Sequence, residues 1–178
     1  MKKLVTRNLV LSGLFIALGL VLPFLTGQIP SIGNKLLPMH IPVLISGFVC
    51  GWPYGLIVGL IVPILRSLLF GMPPMFPTAV AMAFELGAYG FLTGLLYNLF
   101  SRKSYSTYIT LILSMLGGRI VWGVISFFLY GINGTSFTWE IFMAGAFINA
   151  VPGIIIQMII IPIIINNLYK AGVIENAS

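Results

Sequence analysis

Charge is what this sequence has least of. Nine basic and three acidic side chains make up 7% of its 178 residues, whereas a soluble domain carries about 25%. So little charge cannot cover a surface in water, which excludes an ordinary soluble domain. Cys50 is the single cysteine, which excludes an intrachain disulfide and a cysteine metal cluster. No G-x-x-x-x-G-K-[ST] run occurs, so ATP hydrolysis by a P-loop is excluded, and no H-E-x-x-H run occurs to build a zinc protease. The net charge of +6 does not indicate nucleic acid. The basic residues Lys2, Lys3, Arg7, Arg102, Lys103 and Lys170 form no stripe but lie between apolar runs, as topology determinants do. Nothing in the sequence asks for a metal or a cofactor.

Apolar sequence is what is there: 59% of residues are hydrophobic and the mean hydropathy is +1.10. A spanning helix needs roughly 20 mostly apolar residues, so the length predicts a bundle of about six transmembrane helices. Residues 1–178 are then one membrane unit with no soluble domain. Lys2 and Lys3 before an apolar run resemble the start of a secretory signal. Residues 24–28 make a poor cleavage site, however, so the run is read as the first span.

Glycine, proline and polar clusters separate the runs. The predicted spans are 8–25, 38–50, 54–70, 77–100, 107–130 and 138–168, the second short and the last kinked at Pro152 and Pro162. Loops fall at 27–37, 101–106 and 131–136, and Gly71-Met72-Pro73-Pro74 makes a sharp break. With the N-terminus cytoplasmic, inner segments hold six basic residues and the outer ones only Lys35. This positive-inside bias puts both termini inside and requires an even number of spans.

The ionisable residues within spans are His40, Arg66, Glu85, Arg119 and Glu140. A charge near the bilayer centre costs about 2.5–3.5 kcal/mol on insertion scales, and such residues usually face the bundle interior. On this topology most lie in the outer half, as one outward-facing polar pocket would require. Bland readings stand beside this one. Arg66 and Glu85 could form a structural ion pair. Glu140 could be an interfacial residue at a helix start, and His40 a satisfied core histidine. Trp52 and Trp139 read as interfacial anchors, while Trp122, in mid-span, reads as a pocket wall or as packing. Gly51, Gly55 and Gly59, like Gly87, Gly90 and Gly94, read as close helix–helix packing. Gly13 and Ala17 make a small-xxx-small pair that could instead meet a partner helix.

The stretch Leu37-Pro38-Met39-His40-Ile41-Pro42-Val43-Leu44 continues into Gly47 and Gly51. Together with Pro63-Ile64-Leu65-Arg66-Ser67, Gly71-Met72-Pro73-Pro74, Ala81-Met82-Ala83-Phe84-Glu85 and residues 145–153, it resembles the substrate-binding (S) components of energy-coupling factor (ECF) vitamin transporters. The resemblance covers essentially the whole chain. It implies a bacterial plasma-membrane subunit that binds one vitamin from outside, beneath a cap formed by the first loop. It also implies partners: a transmembrane coupling subunit and two cytoplasmic ATPases, with the coupling surface at Gly13 and Ala17. The segments at 39–42 and 71–74 are most similar to the pantothenate branch.

The candidate ligand contacts are His40, Arg66, Glu85, Tyr89, Arg119, Trp122 and Asn149. Arg66 and Arg119 suit a carboxylate, and Asn149 and Tyr89 suit hydroxyls or an amide. Cobalamin, pyridoxine-type, riboflavin and thiamine-related ligands stay open. So do an autonomous carrier with Glu85 as its proton site and an intramembrane enzyme using His40 or Glu85.

Overall fold

The computed structural model describes residues 2–26, 35–100, 104–132, 134 and 136–174, with the backbone alone for Lys2, Lys3 and Ser104. The described residues are mostly helical, with no strand among them. Helix α1 is Lys2–Val21, extended by a 3-10 turn at Leu22–Thr26. Helix α2 is His40–Cys50 and α3 is Trp52–Phe70. A π-helical turn at Met75–Ala79 leads into α4, Val80–Leu99. Helix α5 is Ser104–Ile132. The last membrane stretch comprises α6, Trp139–Met143, a π-helical turn at Ala144–Ile148, and α7, Val151–Lys170.

Among the described residues, five stretches are long and apolar enough to cross a membrane: Leu4–Leu25, Trp52–Phe70, Met75–Leu99, Tyr105–Ile132 and Trp139–Lys170. The exception is α2. Its 11 residues reach roughly 16 Å, about half the hydrocarbon thickness. It is buried nearly all round, from His40 and Pro42 through Phe48 to Cys50, as a helix apolar on every side must be. The second predicted span is therefore a short central helix enclosed by α1, α3, α4 and α7.

The punctuation works as the backbone demands. Gly51 turns the chain from α2 into α3 at φ +86°, a region open to glycine. Gly71 closes α3 at φ +69° and donates its N–H to the Ser67 carbonyl. Several predicted limits shift. The predicted loop at 101–106 gives way to helix at Ser104, and α5 runs on through Gly131 to Ile132. The predicted kink at Pro152 is a helix start: the chain breaks at Asn149 and Ala150, and Pro152 occupies the first turn of α7, where its missing N–H is harmless. Pro162 lies inside α7, which continues past it. Residues 27–34, which make up most of the predicted cap, and Arg102, Lys103, Asn133 and Thr135 lie outside the described residues.

Helices α2, α3 and α4 meet backbone to backbone. A Cβ on Gly55 would strike the Gly90 carbonyl, one on Gly59 the Leu86 carbonyl, and one on Gly94 the Trp52 backbone. The two glycine series thus serve intramolecular packing. Asn8 of α1 reaches the Cys50 carbonyl, and Arg7 reaches the Val173 carbonyl beyond α7. The start of α1, the end of α2 and the end of α7 therefore share one end of the bundle.

The surface is apolar: Leu9, Val10, Ile57, Leu68, Phe84, Ile112, Ile120, Ile155 and Ile159 all face outward. The interior holds His40, Glu85, Arg119 and Gln157, an inversion of the soluble pattern.

Candidate ligand-binding site

Four side chains from three helices converge inside the bundle. His40 is the first residue of α2, Glu85 and Tyr89 lie one turn apart on α4, and Arg119 is near the middle of α5. Their exposures are 2%, 2%, 1% and 6%, so none of them meets bulk solvent.

Local sequence fixes each of them. The i, i+4 spacing puts Glu85 and Tyr89 on one face, and the Tyr89 hydroxyl donates to Glu85 Oε1 at 3.1 Å. Gly118 lets the Tyr89 ring lie against α5, since a Cβ there would enter the ring. Its neighbour Arg119 thereby arrives beside Glu85, with Nη1 2.8 Å from the same Oε1. His40 Nε2 stands 3.7 Å from that oxygen, too far for a hydrogen bond, and its ring centre is 5.4 Å from that of Tyr89.

The turn before His40 is held from α7. Leu37 adopts the left-handed conformation at φ +51°, which costs roughly 1–2 kcal/mol for a residue with a Cβ. Its carbonyl accepts the His40 N–H at 3.1 Å and Gln157 Nε2 at 3.5 Å. A Cβ on Gly153, one turn before Gln157, would strike the Lys35 carbonyl. The sequence reading missed Gln157. Its signal was a lone amide inside an otherwise apolar run, and a buried polar side chain there needs a partner.

The cluster is not closed. Both imidazole nitrogens of His40 and the Nε and Nη2 of Arg119 have no hydrogen-bond partner. A buried polar group left so costs about 1–3 kcal/mol. Ser106, Thr110 and Ser114 form a ridge along α5 whose hydroxyls are also buried and unpartnered.

The other candidates lie elsewhere. Glu85 pairs with Arg119, so the ion pair considered between Arg66 and Glu85 is not formed. Arg66 is buried against α1 instead. Its Nη1 donates to the Leu20 carbonyl at 2.6 Å, and its guanidinium lies 5.1 Å and 5.4 Å from the ring centres of Phe24 and Phe70. Trp122 is half-buried in an aromatic cluster with Phe137 and Phe142, at 5.6 Å and 6.2 Å. Asn149 is exposed at the break before α7, and Glu140 is exposed in the first turn of α6, which the Thr138 side chain caps. An apolar groove of about 580 Å³ between α5 and α6, lined by Phe127, Phe128, Trp139 and Phe142, does not include the polar cluster. Gly13 and Ala17 lie on the outward face of α1, with nothing near a Cβ on Gly13.

Compared with known families, the chain matches the substrate-specific component of ECF transporters over residues 7–174. The chain belongs to that family. No curated protein and no solved structure matches it. As an ECF substrate-specific component it is the substrate-binding subunit of a transporter, and its five long apolar stretches make it a multi-pass membrane protein. The family is a class of transport components rather than enzymes. In an ECF component, a buried cluster with unpartnered donors suits holding a solute. The donors face inward, and a ligand that supplied acceptors would replace the water lost on burial.

Proposed function

We propose that this chain binds a vitamin or related micronutrient at the His40–Glu85–Tyr89–Arg119 cluster. We propose too that transport requires a transmembrane coupling subunit and two ATPases. The observation that carries the site is the set of unpartnered nitrogens on His40 and Arg119, both more than nine-tenths buried. Structural ion pairs are ordinarily completed by the protein itself, whereas a binding site leaves donors for its ligand. Arg66, Trp122 and Asn149 take no part in this cluster, and the seat we assign is these four residues. Pantothenate, an anion bearing hydroxyls and an amide, is the vitamin that suits them best.

In this reading the fold is a six-helix bundle and a single domain, with α2 as the short sixth member. Both termini are cytoplasmic. The contact of Arg7 with Val173 supports termini on one side, and the excess of basic residues supports the inside. The cluster, toward the other end of the bundle, then lies nearer the outer face.

Native mass spectrometry of the detergent-purified chain, followed by calorimetric titration with a vitamin panel, tests the proposal. One vitamin bound tightly per chain is expected. Failure of every vitamin to bind would overturn it, and uptake by liposomes holding this chain alone would establish an autonomous carrier. The outward face of α1 is the proposed coupling surface. Gly13→Leu should leave ligand affinity within about twofold, because the fold has open space there. It should also reduce recovery of the ATPase complex in a pull-down, and full recovery would remove Gly13 from the contact.

A further inference from the structure

The inference here rests on the reading of the cluster as the ligand's seat and concerns the charge of what sits in it. Arg119 is held from one end only: Nη1 is on Glu85, while Nε and Nη2 are unpartnered. Those two nitrogens form the side edge of a guanidinium, whose parallel N–H groups match the two oxygens of a carboxylate. With Glu85 and Arg119 ionised and His40 neutral, the cluster carries no net charge. A ligand carboxylate would leave it one negative charge in excess, and an uncompensated charge in such an enclosure costs several kcal/mol.

One group present can restore the balance. His40 is within 4 Å of Glu85, and neither of its nitrogens has a hydrogen-bond partner. As an imidazolium it becomes a donor at both nitrogens. The groups that face it are few. Helix α4 supplies Glu85 and the Tyr89 phenol, α5 supplies Arg119, and α7 supplies only the neutral Gln157 at the adjoining turn. Arg66 of α3 and Arg7 of α1 are engaged with Leu20 and Val173.

We propose that the seat takes a singly charged carboxylate on the Nε–Nη2 edge of Arg119 and, with it, one proton from solvent onto His40. Ligand and proton enter as a neutral pair. A phosphate monoester, with a charge of about −1.5 to −2 near neutral pH, would leave a further charge that nothing here can balance.

The test is calorimetry on the purified full chain with matched pairs: nicotinate and nicotinamide, pantothenate and pantothenol, biotin and its amide. Each is titrated near pH 7 in two buffers of different ionisation enthalpy. One carboxylate should bind about a hundredfold tighter than its neutral partner, as two charged hydrogen bonds imply. Close to one proton should be taken up per ligand. Affinity should fall by up to about tenfold per pH unit as pH rises, the limit for one linked proton. His40→Gln, which keeps a polar side chain in place, should abolish the uptake and weaken binding at least about tenfold.

Tight carboxylate binding without proton uptake, or equal affinity for the neutral partner, overturns this proposal and leaves the binding-subunit reading standing. Uptake that persists in His40→Gln overturns the assignment to His40. Failure of the wild-type chain to bind any vitamin overturns both readings.

Discussion

Among the described residues two arginines are buried, and they are treated in opposite ways. Arg66 is met by a backbone carbonyl at the end of α1 and by two phenyl faces. It caps a helix C-terminus, where a cation is favoured, and no carboxylate is involved. Arg119 is met by a carboxylate on one nitrogen and has no hydrogen-bond partner on the other two. The first arrangement is complete and fastens α1 to α3. The second is incomplete and sits among groups that can change charge. Burial alone therefore does not separate the two arginines; the unpartnered N–H groups of Arg119 do.

The largest effect should come from Arg119→Met. Removing one partner of a buried pair leaves Glu85 uncompensated and costs about 3–5 kcal/mol, read as a lower unfolding temperature in detergent, with ligand binding lost. Adding Glu85→Leu should restore much of that stability, since well-packed apolar pairs replace buried ion pairs at little cost, while binding stays absent. Recovery of binding in the double variant would erase the distinction between the two arginines.

Arg66→Met should cost less, about 1–2 kcal/mol for a capping bond and its ring contacts, and should change ligand affinity by less than about threefold. A loss of affinity as large as that of Arg119→Met would place both arginines in the seat. Smallest of all, Phe24→Leu should lower stability by about 0.5–1 kcal/mol through the lost cation–π contact, measurable in the same unfolding assay and without effect on titration.

The fold and the cluster are legible in the sequence only in part, for physical reasons. The glycine series at 51, 55, 59 and at 87, 90, 94 was legible because small residues at helical spacing have one dominant use, close backbone approach. The breaks at Gly51 and Gly71 were legible because the backbone there needs glycine. His40, Glu85 and Arg119 were legible, alongside Arg66 and Glu140, because charged groups are costly in lipid, and Tyr89 only as one of seven candidate contacts that also held Arg66, Trp122 and Asn149. Their pairing was not, for it depends on how α3, α4 and α5 are rotated about their axes. The hydrophobic pattern hardly constrains that rotation when lipid and core are both apolar. Arg66, 19 positions from Glu85, was as plausible a partner as Arg119, 34 positions away. Helix α2 was identified as short, but its enclosure by four other helices rests on contacts that no local pattern encodes.

The bond from Arg7 to the Val173 carbonyl brings the first turns of α1 and the segment just beyond α7 within a side chain's length of each other. In connectivity the molecule is thus almost a ring. A short peptide linker joining those ends would make a circular permutant that keeps every helix in place. For the same reason, halves of a split reporter fused to the two ends would meet on one molecule without any help from a neighbour.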